Sequence, residues 1–227
     1  MGYYIDLDKI SIDDYRIKLE TAYLPPSRIM LKDRLDERFE YFKSIGIKNA
    51  KELVKMLNRK DSFSELKKVE CLSGNYLTIL LREINSILPK PNRIKDFKTI
   101  SKDTISKLES LGVNNTLKLF DRVISPETRK KLAIDSGIDN KTLLELTKLT
   151  DLSRIRWVGT TFAGMLYDLG VDTVEKVIQS DPVDLHARLK QLNIEKNIFK
   201  GQIGLNDVKI LVNIANEVPL DIKYGDC

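Results

Sequence analysis

A chain that carries one glycine-based pattern three times is bound to build the same local turn three times. The pattern reads Phe42-x-x-Ile45-Gly46-Ile47, Leu108-x-x-Leu111-Gly112-Val113 and Leu166-x-x-Leu169-Gly170-Val171. Ahead of each glycine stands a short match: Ser27-Arg28-Ile29, Asn92-Arg93-Ile94 and Ser153-Arg154-Ile155, recurring at nearly even intervals. From each isoleucine to its glycine, Ile29 to Gly46, Ile94 to Gly112 and Ile155 to Gly170, the separation is similar. Apolar residues three apart that end at glycine mark a helix whose last turn closes on a left-handed residue, which glycine adopts without strain. Asn49, Asn115 and Asp172 or Thr173 are suitable N-caps for following helices, predicted over Ala50 to Asn58, Thr116 to Val123 and Val174 to Gln179.

The remainder of each unit corresponds as well. Leu66-Lys67-Lys68-Val69, Ser73-Gly74 and a helix from Leu77 to Ile87 match Lys130-Lys131-Leu132, Ser136-Gly137 and a helix from Leu143 to Leu152. A third, looser copy has Leu189-Lys190-Gln191-Leu192, then an insertion with Gly201 and Gly204, then a helix from Asn206 to Asn216 ahead of Pro219. Ser11 caps a helix predicted from Ile12 to about Tyr23, ended by Pro25-Pro26 and suited to cover the first unit. The expected architecture is all-α: three tandem helix-hairpin-helix-like repeats with an N-terminal capping helix. Its parts are residues 1–26 as cap, 27–91, 92–152, and 153–227 with the insertion and C-terminal helix.

The composition agrees, because 31% charged residues interleaved with 42% hydrophobic ones suit amphipathic helices. No apolar run reaches the roughly 20 residues needed to cross a bilayer, and the start lacks the regions of a signal peptide. Asp6 stands where a myristoylation signal wants Ser or Thr, and Cys227 is too near the end for prenylation. With two cysteines, Cys71 and Cys227, and no pairing or metal spacing around either, a cytoplasmic protein without membrane contact is expected.

The stretch from Arg129-Lys130-Lys131-Leu132-Ala133 through Gly137-Ile138, Leu143-Leu144, Asp151-Leu152-Ser153-Arg154-Ile155, Val158-Gly159 and Ala163 to Gly170-Val171-Asp172-Thr173-Val174-Glu175 and Asp181-Pro182 resembles the bacterial family called domain of unknown function 4332. The resemblance runs from Arg129 to Pro182. It implies paired helix-hairpin-helix motifs and brings no activity with it. The broader helix-hairpin-helix class implies contact with nucleic-acid backbone: amide groups at the hairpin and at the start of the second helix cradle a phosphate, helped by nearby Lys or Arg.

Tested residue by residue, only the third hairpin keeps part of that signature. In Trp157-Val158-Gly159 the second glycine is present and Trp157 occupies the place of the first. Lys98-Thr99-Ile100-Ser101 and Leu31-Lys32-Asp33 lack glycine altogether. The candidate nucleic-acid contacts are Arg154, Arg156, Gly159, Thr160 and Thr161, with Lys67, Lys130 and Lys131 as a stripe. Trp157 is expected to pack into the core, the commoner fate of an aromatic in an interhelical turn, with base stacking as the alternative. The Arg-Ile pairs are expected to bury the isoleucine and leave the arginine to cap a helix end. Basicity does not coincide with the best hairpin: residues 27–92 carry 14 basic and 9 acidic side chains, 153–227 only 9 and 10.

Catalysis is not expected. A single histidine, His186, on an amphipathic helix excludes a histidine pair or a histidine-cysteine metal cluster within the chain. No phosphate loop, dinucleotide fingerprint or Gly-x-Ser-x-Gly elbow occurs. Lys200-Gly201-Gln202-Ile203-Gly204 has the spacing of a KH-domain loop without the strands that fold requires. Asp33, Asp36, Glu37 and Glu40 alternate with Lys32, Arg34, Arg38 and Lys43, the pattern of an exposed, salt-linked helix. No cofactor or metal is expected. The partners expected are DNA or RNA backbone, or alternatively another protein held by an adaptor, or both in a small subunit of a DNA-processing machine.

Overall fold

The computed structural model describes residues 2–22 and 24–225; Tyr23, the expected end of the first helix, and Cys227 lie outside the described residues. Among the described residues the chain is all-α, with no strand and two isolated bridges, Ser11 with Asn49 and Arg93 with Asn115. It divides into two compact units, Asp6–Leu88 and Met1–Ile5 with Pro89–Cys227. The first holds α1 (Ile12–Thr21), α2 (Leu35–Ser44), α3 (Ala50–Asn58), α4 (Lys60–Leu66) and α5 (Gly74–Asn85). The second holds α6 (Lys102–Ser110), α7 (Thr116–Val123), α8 (Pro126–Ser136), α9 (Asn140–Leu152), α10 (Thr160–Asp168), α11 (Val174–Ile178), α12 (Pro182–Lys196) and α13 (Leu205–Ala215).

Three turns share one construction. Gly46, Gly112 and Gly170 have φ of 87°, 75° and 74°. After each, the next amide reaches back to a buried residue of the preceding helix: Ile47 N–H to Phe42 O at 3.1 Å, Val113 to Leu108 at 2.9 Å and Val171 to Leu166 at 3.0 Å. This is the left-handed closure that satisfies the helix's last carbonyls. Asn49, Asn115 and, of the two candidates, Thr173 then cap α3, α7 and α11 by accepting from the amides of Glu52, Lys118 and Lys176.

The Arg-Ile matches are less uniform than expected. Ile94 and Ile155 are buried, but Ile29 is 53% exposed and Leu31 is buried instead. Leu31 stands as far ahead of Gly46 as Ile155 stands ahead of Gly170, whereas Ile94 is buried three residues further from Gly112. Arg28 pairs with Glu83 on α5.

In the unit Asp6–Leu88, Ser11 caps α1 by accepting from Asp14 N–H at 3.0 Å. Tyr15 and Leu19 of α1 are buried along with Phe39 and Phe42 of α2. Arg38, expected on an exposed face, is buried. Its Nε donates to Cys71 O at 2.8 Å, its Nη1 donates to Asp33 O at 2.5 Å, and its guanidinium lies 3.8 Å from the Tyr76 ring centroid. Carbonyls at turns need donors when they are shielded from water, and one guanidinium reaches several of them at once, which is why an arginine serves there.

In the larger unit α9 is the central helix, burying Leu143, Leu146, Leu149 and Leu152. Described residues near both ends of the chain pack within this unit. Tyr3 Oη lies 2.7 Å from Thr116 Oγ1 and its ring packs edge-on against Phe120 at 5.8 Å. The segment after α13 is clasped by Arg129, which donates to Lys223 O at 2.8 Å and Gly225 O at 3.1 Å. No helix among the described residues is long and apolar enough to cross a membrane.

Candidate functional site

The α9–α10 hairpin is held from inside. Val158 N–H donates to Ile155 O at 3.1 Å, and Asn92 Nδ2 donates to Ser153 Oγ at 2.9 Å and Val158 O at 3.2 Å. Ile155 and Val158 are both buried, so the two residues between them must reverse the chain within one turn. Trp157 does so at φ 69°, where the helix-hairpin-helix pattern has glycine. A bulky residue in that region carries strain of about 1–3 kcal/mol, sustained only where flanking contacts over-determine it. The left-handed backbone turns the indole outward, so Trp157 is 54% exposed and not part of the core. The Arg156 guanidinium lies 4.0 Å from its ring centroid, a cation–π contact that offsets part of the strain.

Arg154 is not at the surface. It is 2% exposed, and its Nη1 donates to Asp151 Oδ1 at 2.9 Å and its Nη2 to Pro219 O at 2.7 Å, while its guanidinium lies 4.8 Å from the Phe120 ring centroid. The physical cause is Asp151, a buried carboxylate three residues earlier that requires a cation. Its Oδ2 also accepts from Val174 N–H at 2.9 Å and Tyr224 Oη at 2.7 Å. Burial pushes the Asp151 carboxyl up, against those donors and Arg154. Burial likewise raises Tyr3 to about 12 and raises Tyr224. Arg154 is thus a structural ion, and the expected phosphate contact at that position is removed.

Arg156 at the hairpin tip is buried as well, 7% exposed, and is followed by the opening of α10. Gly159 is its N-cap, no side chain caps it, and a Cβ there would meet nothing within 4 Å. Thr160 and Thr161 are half-buried and line a depression of about 240 Å³ that also carries the exposed Lys98, Asp96, and Asp168 paired with Lys196. Lys130 and Lys131 are exposed on α8 of the same unit. Lys67 is exposed too, but it belongs to the unit Asp6–Leu88, not to the one carrying the hairpin.

On the other side of the hairpin lies a cavity of about 260 Å³, lined by Trp157, Phe162, Phe199, Gln202, Asp207 and Ile210 among others. Its far wall is the insertion after α12. A Cβ on Gly201 would meet Phe199 Cε1 at 2.7 Å, and one on Gly204 would meet Asp207 Oδ2 at 2.9 Å. The two glycines therefore make room for the two side chains. His186 Nε2, half-buried, donates to Ile203 O at 2.9 Å and fixes the loop between them. The glycine pair was visible in the sequence, and Lys98 stood in a hairpin tested there, but Phe162, Phe199 and Asp207 carry no local signal that would have singled them out.

A family model described as a domain of unknown function, DUF4332, matches residues 98–218, more than half of the chain. The chain belongs to the DUF4332 family. No curated protein and no solved structure matches it. The DUF4332 stretch takes in the hairpin, the α10 opening and the whole cavity, whereas Tyr3 and the clasped segment from Pro219 onward, which together bury Arg154, fall outside it.

Elsewhere, Asp36, Glu37 and Glu40 form surface pairs with Arg16, Arg34 and Lys43. No group of three or more His, Cys, Asp or Glu that could hold a metal occurs among the described residues.

Proposed function

We propose that the chain is a non-catalytic binding module that contacts nucleic-acid backbone, without reading sequence, through the α9–α10 hairpin. The observation that carries this reading is the opening of α10: an uncapped first turn behind Gly159, with open space in front and the exposed Lys98 in the depression alongside. Amides at a helix start offer hydrogen bonds and partial positive charge to an anion, and flanking cations add the long-range attraction. Thr160 and Thr161 can donate to the same phosphate, and Lys130 and Lys131 add solvated positive charge on α8.

The test is fluorescence anisotropy with short single-stranded and duplex probes at two salt concentrations. Lys98→Ala should weaken binding and reduce the slope of log K against log salt by about 0.7–0.9, the share of one phosphate contact. Complete absence of salt-sensitive binding at low ionic strength would remove the reading. A second reading, a protein-protein adaptor, is favoured by one observation: the arginine best placed by motif, Arg154, is spent internally. It predicts a partner retained after nuclease treatment and released by Arg156→Ala.

A further inference from the structure

The cavity between the hairpin and α13 is not used by a backbone contact, and its construction is specific. Its volume of about 260 Å³ falls just under the roughly 300 Å³ at which sites for drug-sized molecules begin, so it suits one planar ring system and not a large cofactor. Three aromatic side chains line it, Trp157, Phe162 and Phe199, and the outer two keep 54% and 38% of their surface exposed. Large apolar rings left open beside an unfilled cavity are the signature of a binding surface more than of a core. The polar lining is equally restricted. Asp207 supplies a carboxylate whose Oδ2 already accepts from Gly204 N–H at 3.2 Å, Gln202 an amide that both donates and accepts, and Arg156 a guanidinium already stacked on the indole.

Flat apolar faces with a donor and an acceptor at the edge match the chemistry of a nucleobase, whose faces stack and whose edge offers both kinds of group. A paired base in a duplex has its faces covered by stacking and its Watson–Crick edge taken by its partner. At the same hairpin, the indole of Trp157 projects where glycine would let a rigid duplex rail come close to the amides. We infer that the cavity receives one unpaired base of a single nucleic-acid strand, stacked against Trp157 and Phe199, while the adjoining phosphate lies at the opening of α10. This rests on the backbone reading above and narrows it from nucleic acid in general to single strands.

Trp157 is the only tryptophan in the chain, so its emission reports on this site alone. Probes of about eight nucleotides, within the usual single-strand site size, are titrated as single-stranded DNA, single-stranded RNA, duplex DNA and an abasic strand of the same length. The expected result is quenching of Trp157 by both single strands but not by the duplex or the abasic strand. Phe199→Ala and Asp207→Asn should each weaken single-strand binding, by about tenfold for the stacking residue, and leave abasic-strand binding unchanged. Phe199 is exposed at a loop, so its loss leaves the helices intact, which thermal unfolding of the variant verifies. Salt-sensitive binding of duplex and abasic strand equal to that of the single strand, with Phe199→Ala neutral, overturns the base site and leaves the backbone reading standing. Failure of all four probes to bind at low salt overturns both and leaves the adaptor.

Discussion

Arg154 and Arg156 stand two apart in one hairpin, and the difference in their roles is set by what each can reach. Arg154 meets a buried carboxylate, a peptide carbonyl and an aromatic face, so its charge is neutralised inside. Arg156 meets the indole that the left-handed residue turns outward. Removing one partner of a buried ion pair costs about 3–5 kcal/mol, because the other charge is left without water or counterion. Arg154→Ala should therefore lower the midpoint of thermal unfolding by about 10 °C or more. An unchanged midpoint together with lost nucleic-acid binding would return Arg154 to the role first expected from the motif. The one local feature that distinguishes the two arginines is Asp151, three residues before Arg154; the carbonyl that also holds Arg154 belongs to Pro219, in a distant segment of the chain.

At the scale of elements, the helix-turn-helix pieces were legible because every contact that defines them is short-range. A left-handed glycine, the amide that reaches back across it and the Asn or Thr cap that follows all lie within one turn of each other. Gly112→Ala forces a side chain into a left-handed backbone and should cost about 1–2 kcal/mol, although a Cβ would meet no neighbour. Asn115→Ala should cost about 1 kcal/mol by stranding an amide of α7. Both are read from the urea midpoint, and neutrality of Gly112→Ala would mean that the turn readjusts. The register of the Arg-Ile match was misread for a related reason. A tripeptide says nothing of which side chain faces the core, and in the first unit the offset from Ile29 to Leu31 puts Leu31 there and Ile29 in water.

For the molecule as a whole, the larger unit is closed by described residues near both ends of the chain, and this closure makes its stability depend on alkaline pH. Tyr3 is buried, its hydroxyl bonded to Thr116, and burial lifts its pKa from 10.0 to about 12. A raised folded-state pKa means the native state holds the proton more tightly, so the stabilisation is complete below pH 10 and is lost as pH rises from about 10 to about 12. Two pH units correspond to about 3 kcal/mol. Unfolding free energy followed by urea should fall through that window, and Tyr3→Phe should flatten the fall; an equally steep fall in the variant would place the dependence on other groups. The all-helical class, the limits of α3 and α7, the caps Ser11, Asn49 and Asn115 and the three glycine turns follow from the amino-acid sequence alone, since each depends on neighbours within a few residues. Burial of Arg154, exposure of Trp157 and the cavity formed with Phe199 and Asp207 were decided only by tertiary structure. They depend on segments far apart in the chain, Tyr3 with Arg154 and Trp157 with Phe199, whose meeting no local pattern encodes.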